Sequence, residues 1–551
     1  MAFLTSESST VPTEADVLRE GAARDDSPAR RAFRPSIAVS ILLVVTTIAV
    51  AAGLLLRLAI LESGSLWLDE LWTLDAASRS LKEMVGARLV SDLSPPLWTT
   101  LTWFWLQVAG TYDAGTMRLL ALGSGLVGVV AALIGAYRMH SLRPALLVLA
   151  ALLSLSTFPL QFSVEMRAYA LMIGLGTVAT VIWAGLLTNE LPRSGRWIFL
   201  FAVSGSLAGF GHYYGNLLYI PEAVLLLAVF AQARSRKPLV LLGLWSTASV
   251  VPVITWYFLT SRWFPGQAVA GPPSFSTIRT WAEYAYAPVT TVTGGQVPGY
   301  ATEGAGVGVL VIAATICALV VVALLTALRV EMRANTKVIG VGLGALMVVA
   351  AGLGLAWIAS ILRPPSMNVR NLAALLPVVF LALGCSITWF RSERTRSLLA
   401  GLAIATLLVA NIVVVGGYGA TSLTPPWQEQ AGYRATVRAL LAAENGSPAP
   451  QLIGLLTTWA WHGQWDAAVR SELRAGPAVS SDAPPIVVIW VNGPEELVGT
   501  ALADGPVIVF SDSFDSRASA VFDWVRENRT SCREETVGGP GFGAIQMLRC
   551  L

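Results

Sequence analysis

Two adjacent carboxylates, Asp69 and Glu70, lie among aromatic residues in the stretch Leu66-Trp67-Leu68-Asp69-Glu70-Leu71-Trp72, after a long apolar run. A carboxylate at a membrane surface is partly desolvated, which raises its basicity, so Asp69 could take a proton from an incoming hydroxyl. Glu70 could position that acceptor or hold a divalent cation such as Mg, Mn or Ca, because hard carboxylate oxygens suit either task. The competing reading is that both residues cap or solvate the start of an interfacial helix. Asp92 follows in Ser91-Asp92-Leu93-Ser94-Pro95-Pro96-Leu97-Trp98, where two prolines fix a rigid turn.

Further candidates are spread along the chain. Glu165, Arg167 and Tyr169 fall within Val164-Glu165-Met166-Arg167-Ala168-Tyr169; the acid and base could orient an acceptor or simply pair with each other. His212 and Tyr213 open His212-Tyr213-Tyr214-Gly215-Asn216, and His212 could ligate a metal or meet a phosphate, although a lone interface histidine is more often just hydrogen-bonded. Arg370 could hold a phosphate through paired hydrogen bonds, whereas Arg363 reads as an ordinary snorkelling side chain. Arg57 and Glu222 are ionisable groups inside apolar runs, so they face a protein interior or a wet cavity. Trp281, Tyr284 and Tyr286 could stack on a sugar, and equally suit an aromatic interface belt. Near the C-terminus, Trp461, His462, Trp465 and Asp466 could touch a glycan or serve packing.

The elements that must position these residues are membrane helices. Of 551 residues, 55% are hydrophobic and 13% charged, with mean hydropathy +0.64; a soluble chain carries roughly a quarter charged residues. The net charge of +3 gives no reason to expect nucleic acid as a partner. Lysine is confined to Lys82, Lys237 and Lys337, and the arginine bias suggests a GC-rich, actinobacterial-type genome. A bilayer core needs about 20 apolar residues per helix, which yields about eleven candidate spans. They begin near Ile37, Thr116, Pro144, Tyr169, Trp197, Leu217, Leu239, Val307, Val338, Leu372 and Leu398. With residues 1–36 as a cytoplasmic tail, every short inner loop is basic: Arg138 with Arg143, Arg193 with Arg196, Arg234 with Lys237, Arg333 with Lys337, and Arg391 with Arg396. The positive-inside rule therefore predicts an inner N-terminus, an outer C-terminus and residence in the cell membrane. Residues 37–416 form the membrane domain, and 61–115 its first outer loop. Within that loop Leu97 to Val108 reads as a helix lying in the interface.

From 417 to 551 the composition turns polar. Strand-like runs at Gln451 to Leu456, Ile486 to Trp490, Val507 to Phe510 and Ala544 to Leu548 alternate with helical stretches at Glu429 to Leu441 and Ala518 to Glu527. This predicts a small extracytoplasmic α/β domain. Cys532 and Cys550 flank a Gly-rich hairpin candidate there, and a disulfide is plausible if the stretch is extracytoplasmic.

The Asp69-Glu70 pair, the Asp92-x-x-Pro95-Pro96-Leu97 element, the Glu165-x-Arg167-x-Tyr169 element and Arg370 with Leu376-Pro377 resemble family 39 glycosyltransferases of the GT-C superfamily. That group includes protein O-mannosyltransferases and aminoarabinose transferases. Two positions depart from its pattern: Ser94 stands where many members have His, and Asn371 where Tyr is usual. The resemblance implies a GT-C fold, a polyprenyl-phosphate sugar donor and an envelope glycan, glycolipid or protein acceptor. It implies inversion at the anomeric carbon, with Asp69 as general base. Glu70 and His212 are then the candidates for a cation, and Asp92, Glu165, Arg167, Tyr169, His212, Tyr213, Arg370 and Arg57 for donor and acceptor binding. The rival expectations are a transporter or flippase of lipid-linked sugars, or a non-catalytic envelope scaffold. A transporter should show paired halves or interrupted helices, whereas these candidates gather at one face.

Overall fold

A computed structural model of the chain describes residues 37–61, 68–91, 94–111, 113–261, 336–362, 370–388, most of 394–405, 451–455, 488–491, 507–512, 518–529, 531–537 and 545–550. The helices are α1 (Ile37–Ile60), α2 (Leu68–Ser78), α3 (Leu81–Ser91), α4 (Leu97–Ala109), α5 (Ala114–Arg138), α6 (Arg143–Leu155), α7 (Thr157–Phe162) and α8 (Tyr169–Thr188). They continue as α9 (Gly195–Gly211), α10 (Asn216–Gln232), α11 (Arg236–Ser261), α12 (Thr336–Leu362) and α13 (Leu376–Thr388), with short 3-10 turns at Tyr213–Gly215 and Asn371–Leu375.

Six of these helices are long and apolar enough to cross a bilayer: Val39–Ile60, Ala114–Arg138, Tyr169–Thr188, Tyr213–Gln232, Arg236–Trp256 and Lys337–Ile358. The protein is thus a polytopic membrane protein. The apolar run expected from Pro144 forms a short helix, α6, followed by α7. α6 has 13 residues, and all of Pro144 to Leu155 are buried. Its end at Leu155 comes from Ser156, which is extended at ψ 149° and turns the chain into α7. The span expected from Val307 lies outside the described residues.

Breaking a helix in the core leaves its last carbonyls without intrahelical donors. Arg57 of α1 supplies them. Its guanidinium donates to the carbonyls of Leu153 at 2.8 Å and Ser154 at 2.6 Å, to that of Gly53 at 2.9 Å, and to the Ser163 hydroxyl at 2.6 Å. A cation at a helix C-terminus also complements the helix dipole. Arg57 therefore braces α1 against the α6–α7 break. The residue expected to take part in donor or acceptor binding thus spends its observed hydrogen bonds on structural partners.

Local signals set the remaining boundaries near the acidic pair. Ser80 and Glu83 form a reciprocal cap on α3, the Ser80 amide and hydroxyl reaching the Glu83 carboxylate at 3.1 and 2.7 Å. α4 stops at Gly110, whose φ of +62° is left-handed. Asp113 then caps α5 by accepting from the Thr116 amide at 2.8 Å. α5 and α8 approach so closely that a Cβ on Gly174 would lie 2.1 Å from the Ser124 carbonyl oxygen, so this crossing requires glycine.

Toward the C-terminus, β1 (Gln451–Leu455), β2 (Val488–Val491), β3 (Val507–Asp512), β4 (Arg533–Val537) and β5 (Ile545–Cys550) form one sheet of order β2-β1-β3-β5-β4. β1 runs parallel to β2 and β3, whereas β5 is antiparallel to β3 and β4. The helix α14 (Ala518–Asn528) sits between β3 and β4 in sequence. Cys532 and Cys550 are joined by a disulfide that ties the start of β4 to the end of β5. The predicted helix at Glu429 to Leu441 and the cluster of Trp461, His462, Trp465 and Asp466 lie outside the described residues.

Candidate active site

Glu70 projects from α2 into a fully buried position, and Arg118 of α5 meets it there. Arg118 Nε and Nη2 donate to Glu70 Oε1 and Oε2 at 2.9 and 2.7 Å, with both side chains completely inaccessible. Such a fork-to-fork pair fixes direction as well as distance. The same guanidinium donates through Nη1 to the Leu61 carbonyl at 3.1 Å, at the end of α1. Glu70 Oε1 also accepts from the Met166 amide at 2.7 Å.

That last bond joins α2 to the loop between α7 and α8. The loop is held from the other side too, since Trp98 of α4 donates its indole N–H to the Met166 carbonyl at 3.3 Å. Beside Met166, buried Glu165 accepts from the Gln161 side-chain amide at 3.3 Å. Half-buried Arg167 donates to the hydroxyl of Thr73 in α2 at 3.2 Å. Residue 69 stands one turn before Thr73 in the same helix; its side chain lies outside the described ones, as does all of Asp92.

Arg167 borders an aromatic cluster. Tyr169, the first residue of α8, lies 4.9 Å from the His212 ring, centroid to centroid, and Tyr214 lies 5.5 Å from it on another side. Among the described residues nothing hydrogen-bonds to the buried His212 Nδ1. Burial, and then the Arg167 charge, lower the His212 pKa from 6.5 to about 3, so the imidazole is neutral. The turn Tyr213–Gly215 packs on the turn Asn371–Leu375, which Arg370 introduces. Residues from five separated segments thus meet at one end of the bundle: α2, the start of α5, the α7–α8 loop, the turn after α9 and the turn before α13.

Two expectations change. Glu70 does not present a free carboxylate to a cation, because Arg118 engages both oxygens. His212 lies beside a guanidinium, which opposes a second positive charge. Among the described residues no three His, Cys, Asp or Glu side chains come together in a metal-binding group. A cation site is not established, and no chemistry is derived through one.

Arg118, Thr73 and Trp98 were not among the sequence candidates. A signal for Arg118 was available: it is the single charge in the first half of an apolar helix, where a buried ionisable group requires a partner.

No protein-family model and no curated protein matches the sequence. Among solved structures, ArnT from Cupriavidus metallidurans in the apo state is similar at 12% identity and TM-score 0.53, covering 91% of this chain and 97% of that one. ArnT bound to undecaprenyl phosphate is similar at 14% identity and TM-score 0.52 over the same shares. The oligosaccharyltransferase AglB from Archaeoglobus fulgidus is a more distant likeness, with 13% identity, TM-score 0.41 and coverage of 89% and 71%. The chain shares the fold of ArnT.

Proposed function

We propose that this protein transfers a sugar from a polyprenyl phosphate to a hydroxyl on an extracytoplasmic envelope glycan, glycolipid or protein. The observation that carries the reading is the buried Glu70–Arg118–Met166 junction, which docks the helix bearing Asp69 onto the loop bearing Arg167. An acid and a base on separate elements are thereby given one fixed relation, as a displacement between a hydroxyl and a phosphate ester requires. The undecaprenyl phosphate bound to ArnT, whose fold this chain shares, supports a lipid phosphate as leaving group.

In this mechanism the Asp69 carboxylate takes the proton of the acceptor hydroxyl while its oxygen attacks the anomeric carbon. The new C–O bond forms as the bond from that carbon to the phosphate oxygen breaks. The electron pair leaves with the polyprenyl phosphate, and configuration inverts. Arg167 and Arg370 stabilise the departing phosphate. Glu70 is a positioning residue held by Arg118. Neutral His212 lies against the ring of Tyr169 and offers a hydrogen bond to substrate. The basic short loops support an inner N-terminus, and with it a site at the outer leaflet.

The test is reconstitution in liposomes with radiolabelled polyprenyl-phosphate sugars and an envelope extract. Label should pass into a new covalent product with stoichiometric release of polyprenyl phosphate. Movement of intact lipid-linked sugar across the bilayer, without a new product, would replace this reading by transport.

A further inference from the structure

The end of the bundle opposite the candidate site carries a cationic patch. α8 runs from Tyr169 at the site to Thr188, about 30 Å away at about 1.5 Å per residue. Two short loops meet beyond it. The loop from α8 to α9 supplies Arg193 and Arg196, and the junction of α10 with α11 supplies Arg234, Arg236 and Lys237. The Arg193 guanidinium lies 5.2 Å from the ring centroid of Phe230 in the last turn of α10, which brings the two loops together. A Cβ on Gly195, the first residue of α9, would sit 3.5 Å from Leu241 of α11. α12 starts at the same end. Its Gly352 faces Leu217 and its Gly344 faces Leu225, so Lys337 falls beside the end of α10.

Among the described residues no side-chain hydrogen bond or ion pair engages any of these six cations, and Arg193 Nε is buried without an acceptor. Residues 189–196, 232–237 and 336–337 contain one acid, Glu190, whose carboxylate already accepts from the amide and hydroxyl of Ser141. The positive-inside rule accounts for the sign of these loops but not for the backbone under Arg234. α10 ends in a Schellman turn. The Ser235 amide donates to the Phe230 carbonyl at 3.0 Å, the Arg234 amide to that of Ala231 at 3.0 Å, and Arg234 takes the left-handed position at φ +52°. Glycine adopts that position without strain, whereas a long side chain does not. An exposed cation kept there against the backbone preference implies a use for its charge.

The surface beside the patch indicates what it meets. Exposed Val240, Leu244 and Trp245 continue from Lys237 along α11, and Phe199 of α9 meets Trp245 edge-on at 4.7 Å. Cations at the end of a lipid-facing apolar and aromatic surface complement a phosphate with acyl chains attached, rather than a free anion. We propose that this end of the bundle binds an anionic glycerophospholipid, with Arg234, Arg236 and Lys237 at its phosphate and its acyl chains along Val240, Leu244 and Trp245. This site stands independently of sugar transfer.

The test titrates the purified full chain in neutral detergent with fluorescent phosphatidylglycerol, followed by anisotropy. Unlabelled phosphatidylglycerol, phosphatidylcholine and inorganic phosphate serve as competitors. We expect phosphatidylglycerol to compete at least about tenfold better than the other two. Each interfacial charge removed should weaken affinity about fivefold, so Arg234→Gly loses about fivefold and the double variant Arg236→Gln with Lys237→Gln about 25-fold. Lys82→Gln, which removes an exposed cation on α3, should change nothing. Arg234→Gly should also melt above wild type in the absence of lipid, because glycine relieves the left-handed strain. Equal competition by phosphatidylcholine or by inorganic phosphate overturns the proposal. So does an equal loss in Lys82→Gln, which would reduce the effect to net charge, and so does unchanged affinity in the patch variants. If the double variant fails to fold, Arg234→Gly decides alone.

Discussion

Glu70 and Arg118, 48 residues apart, meet in a two-pronged ion pair at 2.9 and 2.7 Å with no access to solvent. Neither charge has water to fall back on, and the Met166 amide relies on the same carboxylate. Removing one partner of such a pair costs about 3–5 kcal/mol, because the other charge is left buried and unpaired. Glu70→Gln and Arg118→Met should each lower the melting temperature sharply. The double variant should recover part of the loss, since neither member of the pair is left without the other. Thermal unfolding in detergent checks this; additive losses would show that the two charges do not act as a unit.

Arg57 separates stability from chemistry. All its observed hydrogen bonds go to Gly53, Leu153, Ser154 and Ser163. Arg57→Met should destabilise by about 2–4 kcal/mol through the orphaned carbonyls of α6. The surviving folded protein should bind polyprenyl phosphate with unchanged Kd. A large rise in Kd at intact stability would return Arg57 to the binding machinery.

Arg167 should behave in the opposite way. It is half-buried and donates to the Thr73 hydroxyl. Hydrogen bonds to a charged phosphate are worth about 1.5–3 kcal/mol, or about 10- to 100-fold in affinity. Arg167→Ala should weaken polyprenyl-phosphate binding by that factor, while Thr73→Val changes it severalfold at most. Direct lipid-binding titrations distinguish the two.

The lowered pKa of His212 has a pH signature. The unfolded side chain takes up a proton below about pH 6.5, whereas the folded one resists protonation down to about pH 3. Its linkage term is therefore flat above about 6.5 and destabilises progressively as pH falls through that window, reaching about 2 kcal/mol at pH 5. His212→Gln should lose less melting temperature than wild type between pH 7.5 and 5. Equal acid sensitivity of the two proteins would mean that the imidazole is not held neutral.

Much of the membrane architecture was legible because long apolar runs have few folded alternatives. Expected helix starts at Ile37, Thr116, Tyr169, Leu217, Leu239 and Val338 fall within or at the edges of spanning helices. At Pro144 the apolar run is divided by Ser156 into the short helices α6 and α7, a break that hydropathy alone does not mark. The strand at Arg533–Val537 was missed because Arg-Glu-Glu-Thr-Val shows no apolar alternation, as suits a charged strand at a sheet edge. In the site, local spacing exposed the acidic pair and Glu165 to Tyr169. It could not pair Glu70 with Arg118, since that contact depends on how α2 and α5 pack. Arg57 illustrates the converse: an intramembrane charge suggests function by default, yet a broken helix end elsewhere in the fold can need it more.

The most direct test of the central claim is sugar transfer by purified Asp69→Asn, measured beside wild type with radiolabelled polyprenyl-phosphate sugars and an envelope acceptor extract, together with donor Kd and melting temperature. The account predicts that kcat falls by at least about 100-fold, the scale of general-base catalysis, while Kd and melting temperature stay within experimental error. Transfer at the wild-type rate by the folded variant would contradict it and remove Asp69 as the base.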